Sequence, residues 1–297
     1  MRKVSTGFVI SLLALAALLW TPDTGAAMSA KGPKKRVGVV AFANKTGHRG
    51  VGQAAVDVLT TELTKTGQFI VVERAEIEQV LKEQGFGQSG AVNPATAAQA
   101  GKILGLQGII IGTVSEFGRS KVKTHFPLNT VTVGDYATQV VVDVRVIDAE
   151  TAQILLAESG KGAVKITEAQ VLGFGQSTPY DTTVDGEAFR AAIQQVMQNL
   201  INQLDEGEWQ GRVIKMSGDT ALINAGENAG LSIGDELGAY ELGEELIDPD
   251  TGLSLGMEEG GLKGFCKILS FTNQGKVSKC KVMSGGLERL DIVKVKK

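Results

Sequence analysis

The sequence predicts a mixed α/β fold, in which a helix-covered parallel sheet is followed by a small all-β module. Short apolar runs rich in β-branched residues occupy residues 37–42, 69–72 and 108–111 and are bounded by glycine. Such runs are typical of strands buried on both faces. The segments between them carry apolar residues three and four positions apart, as amphipathic helices do. Alternating strands and helices form parallel sheets, because the helices make the crossover connections.

The region after residue 207 has no helical periodicity. It contains short runs such as GRVIKM, TALINAG and DIVKVKK, separated by glycine-rich turns and by DPDTG. Many short strands at close spacing are typical of a small barrel or sandwich. We therefore assign residues 36–206 to an α/β domain and residues 207–297 to a β module.

The composition is that of an ordinary folded protein of one or two domains. The chain has 297 residues, of which 43% are hydrophobic and 21% charged, and its net charge is −3. With 30 Lys and Arg residues against 33 Asp and Glu, it lacks the basic stripe that phosphate backbones require. We expect no nucleic-acid partner, although this composition leaves room for a local basic patch.

The first 27 residues have the pattern of a secretory signal. Arg2 and Lys3 precede an apolar run at residues 7–20, and small residues follow up to Ala27. An uncleaved anchor is the alternative, but about fourteen apolar residues are few for a bilayer span, so we favour cleavage. Residues 28–35 then form a linker. We expect export to the periplasm or the periplasmic face of the outer membrane, with no lipid attached near Ala27, where no cysteine occurs.

Two stretches of the α/β domain, residues 118–137 and 159–187, are polar, extended and weakly alternating. Between them, valine at every second position from Val140 to Val146 predicts a strand with one buried face. A helix follows the second stretch, with Asp185 as its predicted N-cap and apolar residues on one side down to Leu204.

The two cysteines, Cys266 and Cys280, lie in alternating runs on either side of the turn-like TNQG. A hairpin centred near Asn273 places them about opposite each other, so a cross-strand disulfide fits an oxidising compartment. Two unbonded, half-buried strand cysteines fit the same pattern. No histidine lies nearby, which argues against a zinc site.

Motifs for catalysis or cofactor binding are incomplete throughout the chain. The loop GHRGVGQ has neither the GK[ST] of a phosphate loop nor the spacing of a dinucleotide fingerprint. The two histidines, His48 and His125, lie in unrelated loops without metal or triad partners. We therefore expect no enzyme activity, no catalytic residues, no cofactor and no metal.

The residues resemble the CsgG/HfaB family of curli secretion and envelope-assembly proteins. The segments that carry the resemblance are RVGVVAFANKTG, GQFIVVERAEIEQVLKEQ, GKILGLQGIIIGTVSEFG and VDVRVIDAETAQIL, in this order within residues 36–204. Separately, INAGENAGLSIGDELGAYELGEELIDPDTGLSLG followed by DIVKV resembles the C-terminal module of the flagellar assembly protein FlgT.

The resemblance implies an anticodon-binding-like αβ sandwich with two extended β-hairpin excursions, which would fall at residues 118–137 and 159–187. It also implies a homo-oligomer that contacts the outer membrane and handles other envelope or secreted proteins. The candidate membrane or interaction residues on these hairpins are Val122, Thr124, Phe126, Val131, Val133, Val164, Ile166, Val171 and Phe174. The expected function is non-enzymatic secretion or surface-structure assembly of the curli type. A soluble periplasmic adaptor that forms no pore is the alternative.

Overall fold

The computed structural model describes residues 32–83, 94–126, 131–171, 182–250 and 254–296. Its helices are α1 (Val51–Thr66), α2 (Arg74–Glu83), α3 (Pro94–Leu104) and α4 (Thr182–Asp205), with a short 3-10 turn at Glu227–Ala229. Its strands are β1 (Lys35–Asn44), β2 (Phe69–Val72), β3 (Gly108–Phe126), β4 (Val131–Asp148), β5 (Ile154–Val171), β6 (Gly211–Ser217), β7 (Thr220–Ile223), β8 (Glu236–Ile247), β9 (Ser254–Thr272), β10 (Val277–Gly285) and β11 (Ile292–Val295). The predicted signal sequence lies outside these residues.

A five-stranded mixed sheet in the order β2-β1-β3-β4-β5 forms the centre of the first domain. Strand β1 runs parallel to both β2 and β3, so the parallel pairing predicted for the first three strands is confirmed. Strands β3, β4 and β5 are antiparallel to their neighbours. The predicted mixed α/β class is therefore confirmed, while the likeness to an anticodon-binding domain stays a prediction.

Helices cover both faces of this sheet. Leu59 of α1 and Phe189 of α4 share a buried core with Ile110 of β3. Ile77 of α2 lies in a second core with Ile109, on the opposite face of the same strand. Consecutive strand residues thus enter different cores, because side chains alternate across a sheet. This arrangement explains why the apolar runs that predicted these strands are continuous rather than alternating.

The second predicted hairpin, residues 159–187, lies partly outside the described residues, since residues 172–181 are not among them, and its last residues belong to a helix. Strand β5 pairs with β4 from Ile147↔Ile154 to Val131↔Val171, and α4 begins at Thr182. The first predicted hairpin forms the outer part of β3 and β4. Together the outer parts of β3, β4 and β5 form one three-stranded antiparallel sheet, which we call the extension. At about 3.4 Å per residue, it reaches roughly 20 Å beyond the N-terminus of α4.

Two glycines allow β5 to lie directly on α4. A Cβ atom at Gly160 would overlap the carbonyl oxygen of Ala192, and one at Gly162 would overlap that of Ala188. Since both obstacles are backbone atoms, neither can rotate away. The distance between strand and helix is therefore set by the absence of these two side chains.

A six-stranded closed barrel, in the order β10-β7-β6-β11-β8-β9, forms the second domain. Its core includes Val213, Leu237 and Ile268. Cys266 and Cys280 are fully buried in this core and form a disulfide, with their Cα atoms 5.5 Å apart. The sequence suggested that the two cysteines lie about opposite each other, but they are not direct partners in the register of β9 and β10. Cys280 pairs with Ile268 and Cys266 with Val282, because bulges shift the register of β9 and β10.

Lys35 holds the start of β1 against the end of α4. Its Nζ donates to the carbonyl oxygens of Leu204, at 3.0 Å, of Asp205, at 2.7 Å, and of Glu206. The last carbonyls of a helix have no intrahelical partner and carry partial negative charge, so a lysine stabilises them. Burial lowers the pKa of Lys35, while the carboxylates of Asp205 and Glu206 oppose this shift.

The barrel contacts the α/β domain at several points. The backbone N–H of Lys34 donates to the carbonyl oxygen of Ala229, and Lys102 of α3 forms an ion pair with Glu245 of β8. Glu150, in the turn between β4 and β5, lies in the same region. Burial, followed by repulsion from Asp148, raises the pKa of its carboxyl group. The junction therefore combines backbone, ionic and partly buried acidic contacts.

We predict that Gly162→Ala destabilises the α/β domain by about 1–3 kcal/mol, the usual cost of overpacking. The control is Gly118→Ala on the same sheet, where an added Cβ has no atom within 4 Å. Urea unfolding followed by circular dichroism measures both free energies. Equal stability of the two variants would show that the β5–α4 distance does not depend on glycine.

Candidate assembly surface

The extension presents two sheet edges that are unpaired among the described residues. Strand β3 pairs with β1 only as far as Val114, so its outer part has β4 on one side alone. Strand β5 is the last strand of the sheet order, and its other edge has no strand partner in the described part of the chain. Unpaired edges present rows of N–H and C=O groups, which can pair with another chain.

One backbone N–H group on the β5 edge forms a hydrogen bond with a side chain of α4. The backbone N–H of Lys161 donates to the side-chain oxygen of Gln195 at 2.9 Å. This bond identifies the outward-facing N–H groups, because alternate residues of a strand point to the same edge. The β4–β5 register has no shift between Lys161 and Val171, so Ala163, Lys165, Thr167 and Ala169 also direct their N–H groups outward.

The strand register places the predicted interaction residues on two faces. Phe126 pairs with Val131, and Val131 with Val171. Residues paired in this way share a face, and so do alternate residues of one strand. One face of the extension therefore contains the positions Val122, Thr124, Phe126, Val131, Val133 and Val171. Val164 and Ile166 belong to the opposite face, where Val164 packs against the core, and Phe174 lies in the undescribed segment 172–181.

An ionic cluster around the buried carboxylate of Asp185 fixes the base of the extension to α4. Asp185 in the first turn of α4 forms an ion pair with Arg119 of β3, whose Nε donates to it at 3.3 Å. The hydroxyl of Thr138 on β4 donates to the same carboxylate at 3.0 Å. The prediction that Asp185 is the N-cap is therefore wrong, since it lies inside the helix and bonds to the sheet. Its partners are distant in sequence, which explains why the cluster was missed.

Aromatic rings continue this cluster. The guanidinium of Arg119 lies 4.9 Å from the ring centre of Phe117, which stacks on Phe189 of α4 at 6.0 Å. The ring of His48 also contacts Phe117 in an edge-on arrangement, with the ring centres 5.0 Å apart. His48 thus acts as a packing partner here, and the loop before α1 is joined to the base of the extension.

The glycine-rich loop before α1 is ordered by its own side chains. The Oδ1 atom of Asn44 accepts hydrogen bonds from the backbone and hydroxyl of Thr46, and its Nδ2 donates to the carbonyl oxygen of His48. Asn44 therefore makes the local bonds of an Asx turn. This geometry fits the plain turn that the sequence favoured over a nucleotide site.

A groove of about 590 Å³ lies at the base of the extension. Small and polar residues line much of it, among them Gly118, Ser120, Ala137, Gln139 and Ala163. Within the described ranges, no three His, Cys, Asp or Glu side chains are grouped as a metal site requires. The groove is a shallow part of the sheet surface, with Glu116 in its lining and Asp185 bonded to the lining residues Arg119 and Thr138.

No helix in the described segments has the length and apolarity needed to cross a membrane. The features that remain are an antiparallel sheet with two unpaired edges and a rigid attachment to its domain. Sheet edges of this kind can pair with a strand of another chain.

The chain belongs to the CsgG family. The family model described as curli production assembly/transport component CsgG matches residues 23–229, which include the whole α/β domain and the start of the barrel. The suspected CsgG resemblance is thus confirmed. The separate resemblance of the barrel to the FlgT module stays a prediction.

Individual relatives are more distant. A putative lipoprotein of Neisseria meningitidis serogroup B is 26% identical over 163 residues, covering 54% of this chain and 68% of that protein. A lipoprotein structure from Neisseria meningitidis has 16% identity and a TM-score of 0.33, covering 58% of this chain and 99% of its own. A PelC dodecamer from Paraburkholderia phytofirmans has 14% identity and a TM-score of 0.29, covering 55% of this chain and 86% of the PelC chain. Such low scores mark a partial likeness.

We predict that Asp185→Asn destabilises the α/β domain by about 1–3 kcal/mol, because Arg119 and Thr138 lose a charged acceptor. The control is Asp57→Asn on α1, an exposed carboxylate that accepts a hydrogen bond from Gln53 at 2.6 Å. Urea unfolding compares the two variants. A loss at Asp57 as large as that at Asp185 would contradict the assignment of the cluster as an anchor.

Proposed function

We propose that this chain is a non-enzymatic component of an envelope secretion or assembly system, of the curli-export or surface-structure type. Membership of the CsgG family supports the class of function, since the family is described by curli production, assembly and transport. The signal-like start of the sequence and the lipoprotein relative support an exported location, at the periplasm or the periplasmic face of the outer membrane.

The observation that carries this proposal is that both edges of the extension lack a strand partner among the described residues. Strands β3 and β5 run in the same direction, because each is antiparallel to β4. The β5 edge of one copy can therefore pair in parallel with the β3 edge of the next. Such a contact joins two different surfaces, and repeated contacts of this kind close into a ring when the rotation permits. Contact with the outer membrane would then involve the extensions of several copies together.

A second candidate, a soluble periplasmic adaptor without a pore, is favoured by the strand count of the extension. The described residues contribute three strands per copy, whereas two hairpins would contribute four. A seam between the described strands β5 and β3 of neighbouring copies is parallel, and parallel pairing is slightly weaker than antiparallel pairing. In this candidate the same edges accept a strand from another envelope protein.

The test is the size of the mature protein, with and without detergent, for the wild type and Ala169→Pro. The substitution removes an outward N–H and places a proline ring on the edge, while the bonds of β5 to β4 remain. We expect a homo-oligomer for the wild type and a monomer for Ala169→Pro by light scattering. Ala169→Val keeps the N–H group and is expected to assemble like the wild type.

A wild-type monomer that stays in aqueous solution without detergent would contradict the ring. If that monomer also bound an envelope protein in a manner lost in Ala169→Pro, the adaptor would be the correct function. Assembly of Ala169→Pro equal to that of the wild type would show that the β5 edge is not the contact.

A further inference from the structure

The outer wall of the barrel carries a lysine face, formed by Lys215 of β6, Lys267 of β9, and Lys279 and Lys281 of β10. Lys267 and Lys281 lie directly opposite each other, while Lys279 and Lys215 both pair with Leu222. Neighbouring strands lie about 4.8 Å apart, so the four Cα atoms lie within roughly 15 Å. Lys215, Lys279 and Lys281 are exposed, and Lys267 is half-exposed.

The charge of the lysine face is only partly balanced within the described part of the chain, where Glu236 interacts electrostatically with Lys267. None of its four ammonium groups forms a salt bridge there. Glu236 is the register partner of Lys267, but its carboxylate is bonded to Lys296 at 3.0 Å. Like charges directly opposite in a sheet are destabilising, so the pairing of Lys267 with Lys281 costs stability. Since the whole chain has a net charge of −3, this local excess of positive charge is not a consequence of composition.

Three aliphatic side chains lie among the lysines. Ile214, Leu269 and Met283 are 42%, 51% and 61% exposed. Each is the extra residue at a shift in strand register. Ile214 lies between Val213 and Lys215, which pair with consecutive residues of β7. Leu269 lies between Ile268 and Ser270, the partners of Cys280 and Lys279, and Met283 lies between Val282 and Ser284, the partners of Cys266 and Phe265. A bulge redirects a side chain that regular alternation would place elsewhere. Three separate bulges thus bring an aliphatic residue to the same wall.

We propose that the lysine face binds an anionic lipid surface. Lysine side chains extend along an apolar boundary while their ammonium groups contact phosphates, and aliphatic residues enter the boundary between headgroups and acyl chains. The composition does not fit a protein partner as well, because protein interfaces are depleted in lysine and enriched in aromatic residues and arginine. This inference goes beyond the proposed function, since it concerns the barrel and not the extension.

The experiment is flotation of the full mature chain with vesicles of phosphatidylcholine, with or without phosphatidylglycerol. We expect binding that requires phosphatidylglycerol and weakens with salt. Each lysine near an anionic surface contributes about fivefold, equivalent to ~1 kcal/mol. Lys279→Gln combined with Lys281→Gln should therefore lower the partition coefficient roughly 30-fold. Lys45→Gln combined with Lys82→Gln makes the same change of charge at exposed positions outside the barrel and should bind like the wild type.

A second variant, Met283→Ser, tests the aliphatic contribution without changing the charge. It should lower binding to phosphatidylglycerol vesicles severalfold and leave the melting temperature within about one degree, as expected for a surface substitution. Equal binding of the wild type to both vesicle types would overturn the proposal and place the contact on another surface, such as the extension. Equal losses of vesicle binding in the two double-lysine variants would also overturn the proposal. Neither result would affect the oligomer test of Ala169→Pro.

Discussion

The close packing of β5 on α4 is the constraint on which the α/β domain depends. Gly160 and Gly162 let the strand touch the helix backbone, so the helix can lie along the sheet at a fixed distance. Its two ends are then attached to the sheet by charge, through Lys35 at the C-terminus and through Asp185 near the N-terminus. Because Asp185 also bonds to Arg119 and Thr138, the base of the extension is tied to α4 where it leaves the domain.

Residues with a strong local signal were predicted well from the sequence. The apolar runs of β1 and the start of β3 are buried on both faces, and the run of β2 is buried at Phe69 and Val72, so composition alone identifies them. The valines from Val140 to Val146 alternate strictly, and their burial follows from that alternation. The helical stripes that include Leu59 and Ile77 also lie in the cores. In each case the residues that form the local sequence pattern are also the residues that pack in the core.

Features that depend on pairing could not be predicted in this way. Residues 159–171 alternate weakly, and nothing in them indicates that their partner is β4 and not a strand that follows. Asp185 has the residue type and position of an N-cap, but Arg119 lies 66 residues away and only the fold brings it near. The lysine face was missed for the same reason. Its bulges are differences in register between two strands, and a single strand sequence does not reveal them.

The extension edges and the lysine face are both unfavourable in an isolated copy, since the edges have no strand partner in the described part of the chain and the face concentrates like charge. Assembly through β3 and β5 is the central claim, and cross-linking tests it most directly. Val122→Cys on β3 and Thr167→Cys on β5 are made in separate copies, mixed during expression and treated with a short bis-maleimide. Association through these edges predicts covalent dimers that contain one copy of each variant. Absence of these mixed dimers, or equal cross-linking of either variant with itself, would contradict assembly through the edges of β3 and β5.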